Sequence, residues 1–148
     1  MEKIKVRFKR LRATAAAPVR STSGAAAWDL AAHSVEIEPQ SNGSILYTVH
    51  TGIAVEIPKG HFGDLRARSS VVFTGLGLGN GAGVIDSDFR GEITGRFYLH
   101  ASDGGRAYEA GERCLQLIIA PCPEVEFEEV EELSDTERGA GGYGSTGR

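Results

Sequence analysis

Hydrophobic positions in this chain recur every second residue over short stretches, and no stretch shows the three-to-four residue spacing of a long amphipathic helix. At the start Ile4, Val6 and Phe8 alternate with Lys3, Lys5, Arg7 and Lys9, the period of a half-buried strand. Further β-prone stretches are predicted at Ser34–Glu38, Ile45–Ile57, Glu92–His100, Arg113–Ala120 and Val125–Val130. Turn residues separate them, as in Pro39-Gln40-Ser41-Asn42-Gly43 and Ser102-Asp103-Gly104-Gly105. Strands at short intervals with turn chemistry between them predict an all-β sandwich or barrel.

The end of the chain follows another pattern. Ser134–Arg148 holds five glycines, one aromatic residue and no aliphatic side chain larger than Ala140. It cannot bury enough apolar surface to offset its own ordering entropy. The expected organisation is one β domain over residues 1–133 and a flexible arm over 134–148. An arm carrying Arg138, Tyr143, Ser145 and Thr146 among glycines has the groups to close over an anion.

Length and composition change this picture little. At 148 residues the chain is the size of one domain. Its longest apolar run, Leu115–Cys122, is far short of a membrane span, and no uninterrupted apolar stretch marks a signal peptide near the N-terminus. The expectation is a cytoplasmic protein, or an intracellular one in a host if viral, with no membrane association. Cys114 and Cys122 fit neither a CxxC pair nor a zinc set, so they are expected to be reduced thiols. His33, His50, His61 and His100 lack metal-ligand spacing.

Charge is more informative once divided. The net charge is −4, yet eight acidic residues and no basic ones lie between Glu124 and Glu137. Residues 1–123 carry 12 acidic and 14 basic side chains, a net of +2. A solvated edge strand and linker accounts for the acidic run. No basic block predicts stable nucleic-acid binding.

Five segments carry candidate chemistry, and no Walker A, GxSxG or HExxH pattern competes with them. They are Ser23–Leu30 (SGAAAWDL), Leu65–Ser70 (LRARSS), Gly81–Gly91 (GAGVIDSDFRG), Gly111–Ile118 (GERCLQLI) and Arg138–Gly147 (RGAGGYGSTG). Taken in order, they resemble the five motifs of the trimeric dUTPase family, the third and fifth most specifically. The resemblance spreads over nearly the whole chain. It implies a jelly-roll-like β-barrel, a homotrimer with shared active sites, dUTP as substrate and Mg²⁺ as cofactor.

The residue types suit that chemistry. Hydrolysis at an α-phosphorus needs a water, a base to orient it and neutralisation of phosphate charge. By resemblance, Asp86 is the catalytic carboxylate, whereas Asp88 is a structural or intersubunit partner. Asp29 is expected to touch Mg²⁺ through water, because Mg²⁺ keeps waters and binds phosphate oxygens in preference to a protein cage. Arg68, Ser69 and Ser70 supply a guanidinium, hydroxyls and N–H groups to phosphate, and Gln116 bridges water or the α-phosphate. Uracil offers two acceptors and one N–H donor, which the backbone of a glycine-rich hairpin at Asn80, Gly83, Val84 and Ile85 can match. Arg138, Tyr143, Gly144, Ser145 and Thr146 complete the expected substrate contacts from the arm.

Several positions depart from the family pattern. Phe89 stands where most relatives have Tyr under the deoxyribose, keeping the ring and losing the hydroxyl. Trp28 replaces a smaller or phenolic residue, and Val71-Val72-Phe73-Thr74 replaces a Leu-Ala-x-Lys type of sequence. The related dCTP deaminases share Arg68-Ser69-Ser70 but carry an Arg where this chain has Phe73, and a Glu where it has Arg96. A degenerate trimeric interaction module would have lost Asp86, Gln116 or Arg138, and all three are present.

Overall fold

The computed structural model describes residues 3–100 and 105–142. Nine strands appear among them: β1 Arg7–Arg10, β2 Trp28–Ala31, β3 Ser34–Pro39, β4 Ile45–Glu56, β5 His61–Ala67, β6 Leu76–Leu78, β7 Gly83–Ile85, β8 Glu92–Leu99 and β9 Arg113–Pro121. The one helical element among the described residues is a 3-10 turn, Ser69–Phe73. The fold is all-β and jelly-roll-like. Two antiparallel sheets form it, one ordered β1-β4-β8-β6 with β3 also on β4, the other ordered β2-β9-β5-β7.

Side chains alternating along β4, β8 and β9 build the space between the sheets. Tyr47, Val49, Ile53 and Val55 on β4, Ile93 and Phe97 on β8, and Leu115 and Leu117 on β9 are all buried in one cluster with Leu30 and Leu65. Phe97 meets Tyr108 edge-on at 5.4 Å between ring centroids, a favoured aromatic geometry. Gly95 lets the sheets approach, since a methyl group there would stand 2.8 Å from Leu115 Cδ2.

The long strand β4 serves two partners on one edge, β3 along Ile45–His50 and β1 along Ile53–Glu56. A register shift between His50 and Ala54 separates them. Gly52 sits within it at φ +67°, a conformation glycine adopts without a Cβ penalty. The Glu92 carboxylate accepts from the Gly52 N–H at 2.7 Å and lies 3.2 Å from His50 Nδ1. Thr51 Oγ1 donates to the Ile93 carbonyl at 2.6 Å, so the bulge leaves its buried hydroxyl satisfied.

Two sequence expectations change. The alternation at Ile4, Val6 and Phe8 produces a strand only from Arg7, with Val6 packed on the core and Ile4 and Phe8 about half exposed. Nothing among the described residues covers that face. These residues line an apolar groove of about 450 Å³ with Pro18, Trp28, Leu117 and Ile119. Val125–Val130 forms no strand at all. It runs exposed with the rest of the acidic segment, pairing with no strand among the described residues, and Phe127 is 96% exposed. Cys114 is buried, Cys122 exposed, and both are free thiols.

Candidate active site

The four strands of the second sheet carry the first four of the five sequence segments. Segment Ser23–Leu30 runs into β2, Gly111–Ile118 into β9, Leu65–Ser70 spans the end of β5, and Gly81–Gly91 contains β7. Segments scattered over most of the sequence are thereby neighbours in space.

At one end of this sheet lies a charged cluster. The β2–β9 register sets Asp29 opposite Gln116, and Asp29 is only 7% exposed. Its Oδ1 is 3.0 Å from Arg68 Nε. Its Oδ2 is 3.1 Å from Arg113 Nη1 and accepts from Ser21 Oγ at 3.0 Å. A carboxylate this buried is tolerated because it is paired and hydrogen-bonded. Arg68 also donates to the Arg113 carbonyl at 3.1 Å, and its N–H to the Cys114 carbonyl at 3.0 Å. Gln116 Nε2 donates to the Ala67 carbonyl at 3.2 Å. Ser69 and Ser70 open the 3-10 turn immediately beyond, Ser69 exposed and Ser70 half-buried. Two guanidiniums against one carboxylate leave this corner a cationic surface beside hydroxyl donors, a site for phosphate oxygens.

The turn joining β6 to β7 forms the second part. Gly79 N–H donates to the Arg96 carbonyl at 2.8 Å, Gly81 N–H to Leu78 at 2.9 Å, and Ala82 N–H to Asn80 at 2.7 Å. β6 and β7 do not pair with each other, since β6 lies on β8 and β7 on β5, so the expected glycine-rich hairpin is a turn that crosses from one sheet to the other. Between this turn and β8 is a cavity of about 430 Å³, lined by Asn80, Gly83, Val84 and Ile85 together with Leu65, Thr94, Arg96 and Tyr98. Its size suits a flat heterocycle.

Asp86 stands just past β7, exposed, and its carbonyl accepts from Phe89 N–H at 3.1 Å. Arg90 Nη1 clamps the same turn through the carbonyls of Ser87 at 2.7 Å and Phe89 at 2.8 Å. Asp88 is exposed and makes no ion pair among the described residues.

The two parts do not meet within one chain. Ile85 pairs with Gly63 on β5, whereas Arg68 follows Ala67 at the strand's other end. Six residue steps at about 3.3 Å each put Asp86 and Arg68 roughly 20 Å apart along the sheet. Arg138 lies apart from both, in an exposed turn whose carbonyl accepts from Gly141 N–H at 3.0 Å. Tyr143, Gly144, Ser145 and Thr146 lie outside the described residues.

Sequence reasoning missed Arg113 and Ser21, which complete the Asp29 cluster, and Thr94, Arg96 and Tyr98, which wall the cavity. Arg113 stood inside a quoted segment, but only the β2–β9 register shows that it faces Asp29. Behind the cluster, burial pushes the Cys114 thiol up to about 12, which removes it as a nucleophile.

No group of three metal-ligating side chains occurs among the described residues. A carboxylate has about four acceptor sites, and Asp29 commits three of them to Arg68, Arg113 and Ser21. One remains, enough to accept from a water on a hydrated cation and too little for a protein cage. That donor set fits Mg²⁺ carried by phosphates.

Comparison with known proteins gives a consistent result. The dUTPase family profile matches residues 13–147. Deoxyuridine 5'-triphosphate nucleotidohydrolase of Nautilia profundicola is 42% identical over 149 residues, covering 98% of this chain and 100% of that protein. The corresponding protein of a Hydrogenobaculum species is 40% identical over 145 residues, covering 97% and 99%. Among solved structures, the dUTPase of Staphylococcus bacteriophage 80alpha with dUPNHPP has a TM-score of 0.82 at 28% identity, covering 97% of this chain and 99% of that one. A mutant dUTPase from phage phi11 of S. aureus, described with a structural Mg(II) ion, has a TM-score of 0.73 at 25% identity, covering 88% and 99%. The chain belongs to the dUTPase family.

Proposed function

We propose that this chain is a dUTP diphosphatase, hydrolysing dUTP to dUMP and pyrophosphate and so limiting uracil in DNA while supplying dUMP for dTTP synthesis. The observation that carries this reading is the convergence of four segments on the four strands of one sheet, with a backbone-lined cavity and a phosphate-binding corner.

Uracil enters the cavity beside the β6–β7 turn, where backbone groups of Gly83, Val84 and Ile85 and the Asn80 carboxamide satisfy O2, O4 and N3–H. Cytosine would leave donors facing donors, and a close fit of protein at C5 of the base would exclude the thymine methyl. Phe89 lies under the deoxyribose. The Asp86 carboxylate accepts a proton from water as the water oxygen bonds to the α-phosphorus, and the bond from that phosphorus to the bridging oxygen breaks, releasing pyrophosphate. Arg68, Ser69 and Ser70 donate to phosphate oxygens, and Gln116 bridges water and the α-phosphate. Asp29 holds Arg68 in place, and its remaining acceptor site would hold a water of a hydrated Mg²⁺. Mg²⁺ on the phosphates supplies charge neutralisation when bound. Arg138 and the residues Tyr143–Thr146 close over the nucleotide, Tyr143 stacking on the base, and exclude water.

The active unit is a homotrimer in which Asp86 of one protomer faces Arg68 and Gln116 of another and the arm of the third. The roughly 20 Å separation within a chain supports this, as do exposed apolar residues such as Phe73 at 86% and Leu133 at 87%. The extended segment holding Val125 and Phe127 among eight acidic residues complements a second copy's apolar groove, which Lys5 lines and beside which β1 carries Arg7, Lys9 and Arg10.

Pyrophosphate release from dUTP, dCTP, dTTP and UTP tests the reading directly. Only dUTP should turn over efficiently, and Asp86→Asn should lower kcat by about two to four decades with nucleotide binding retained. Normal turnover by that variant would remove Asp86 from the chemistry.

A further inference from the structure

The Phe89 ring has an unusual support. Its far edge rests on Gly91, where a methyl group would stand 2.5 Å from Cζ, 2.9 Å from Cε2 and 3.3 Å from Cε1. Contacts below 3 Å between carbons are not sustainable against an optimum near 3.5–4.0 Å, so one side would have to move about 1 Å. The backbone is the stiffer side. Arg90 clamps the turn through two carbonyls, and Phe89 N–H is bonded to Asp86. The ring is 41% exposed and lies outside the core cluster, so it is free to swing. Gly91 itself does not occupy the positive-φ region, and its lack of a Cβ therefore serves the ring and not the chain path.

We propose that Gly91 is a positioning residue for sugar discrimination: its bare Cα seats the Phe89 ring at the height that admits a deoxyribose and excludes a 2′-hydroxyl. This rests on the reading of Phe89 as the residue beneath the sugar. A displacement of about 1 Å in a positioning group can cost up to a hundredfold in rate. The dUTP reaction needs only a ring face near C2′, whereas rejection of UTP needs that ring at contact distance. The loss should therefore fall on selectivity more than on dUTP turnover.

The test compares kcat/KM for dUTP and UTP in the assembled enzyme and three variants: Gly91→Ala, Phe89→Leu and the double variant. Gly91→Ala should lower the dUTP-to-UTP ratio about tenfold or more, within the range one group contributes to a pocket, with an unchanged melting temperature. Leucine ends before the Cε and Cζ atoms that would collide, so in the Phe89→Leu background the Gly91→Ala change should have no further effect. A merely structural glycine would lower both substrates equally in either background. An unchanged ratio in Gly91→Ala, with a lowered ratio in Phe89→Leu, overturns the role of Gly91 alone. An unchanged ratio in Phe89→Leu overturns the sugar-side reading and the inference with it. If Gly91→Ala fails to assemble, folding of the double variant locates the collision at the ring and supports the inference. Failure of both places it in the backbone and overturns the inference.

Discussion

Two inactive variants of this enzyme should restore one another when mixed. The perturbations are Asp86→Asn in one chain and Arg68→Gln in another. Within a protomer the two side chains belong to opposite ends of the β5–β7 ladder, because Gly63 pairs with Ile85 while Arg68 lies beyond Ala67. The separation of roughly 20 Å cannot be spanned by a water poised for attack, which must sit about 3–3.5 Å from phosphorus. On the proposed mechanism, a working site draws Asp86 and Arg68 from different protomers. In mixed assemblies formed from equal amounts, each donor is intact half the time, so about a quarter of the sites regain both groups. Each variant alone should retain about 1% of activity or less. The assay is steady-state pyrophosphate release after the two chains are unfolded together and refolded, with mass spectrometry of the assemblies confirming that they mix. Assemblies that mix and recover no activity would refute the shared site, and with it the use of strand register to divide the machinery between chains.

Two further outcomes follow from the Asp29 cluster and from Cys114. Asp29→Asn leaves Arg68 and Arg113 without a counter-charge, but their side chains are 28% and 46% exposed. The cost is thus about 1–2 kcal/mol, a fall in Tm of about 2–8 °C at fixed protomer concentration. An unchanged melting curve would show that the ion pairs carry no stability. Burial raises the Cys114 thiol from 9.0 to about 12, so the folded chain keeps a proton that the unfolded chain releases. The associated stability is complete below about pH 9 and is lost toward pH 12, at about 1.4 kcal/mol per pH unit at most. Urea unfolding between pH 8.5 and 11 should show a shallower decline in Cys114→Val, and equal slopes would contradict the assignment.

The strands legible in the sequence are those that declare themselves. β3, β4, β8 and β9 carry alternation or continuous apolar runs, and their bounds came within one or two residues of those observed. The strands that went unread are β2, β5, β6 and β7, which are short or interrupted by Gly63, Asp64, Gly77 and Gly83. Their conformation comes from pairing with β8, β9 and one another, which local propensity does not encode. Three of these four bear the candidate site, so its residues were found by their similarity to a family and not by periodicity. Contacts such as Asp29 with Arg113, 84 residues apart in sequence, depend on strand register, and alternation leaves strand partners open. Val125–Val130 has the composition of a strand and pairs with none among the described residues.

The position of β9 has a consequence for synthesis. Among the described residues it is the last strand made, and it lies between β2 and β5. Until it emerges, those two strands have no common partner, and the Asp29 cluster has neither Arg113 nor Gln116. About 54 residues are added between the end of β5 and the end of β9, which at roughly 5–20 residues per second takes about 3–11 s. Over that interval the nascent chain can close the first sheet, through β1, β3, β4, β8 and β6, but not the second. The sheet that bears the candidate site is thus a late, non-local event in folding. A ribosome that stalls before residue 113 releases a chain with unpaired edges and an open core, a substrate for chaperones and proteases before it can be an enzyme.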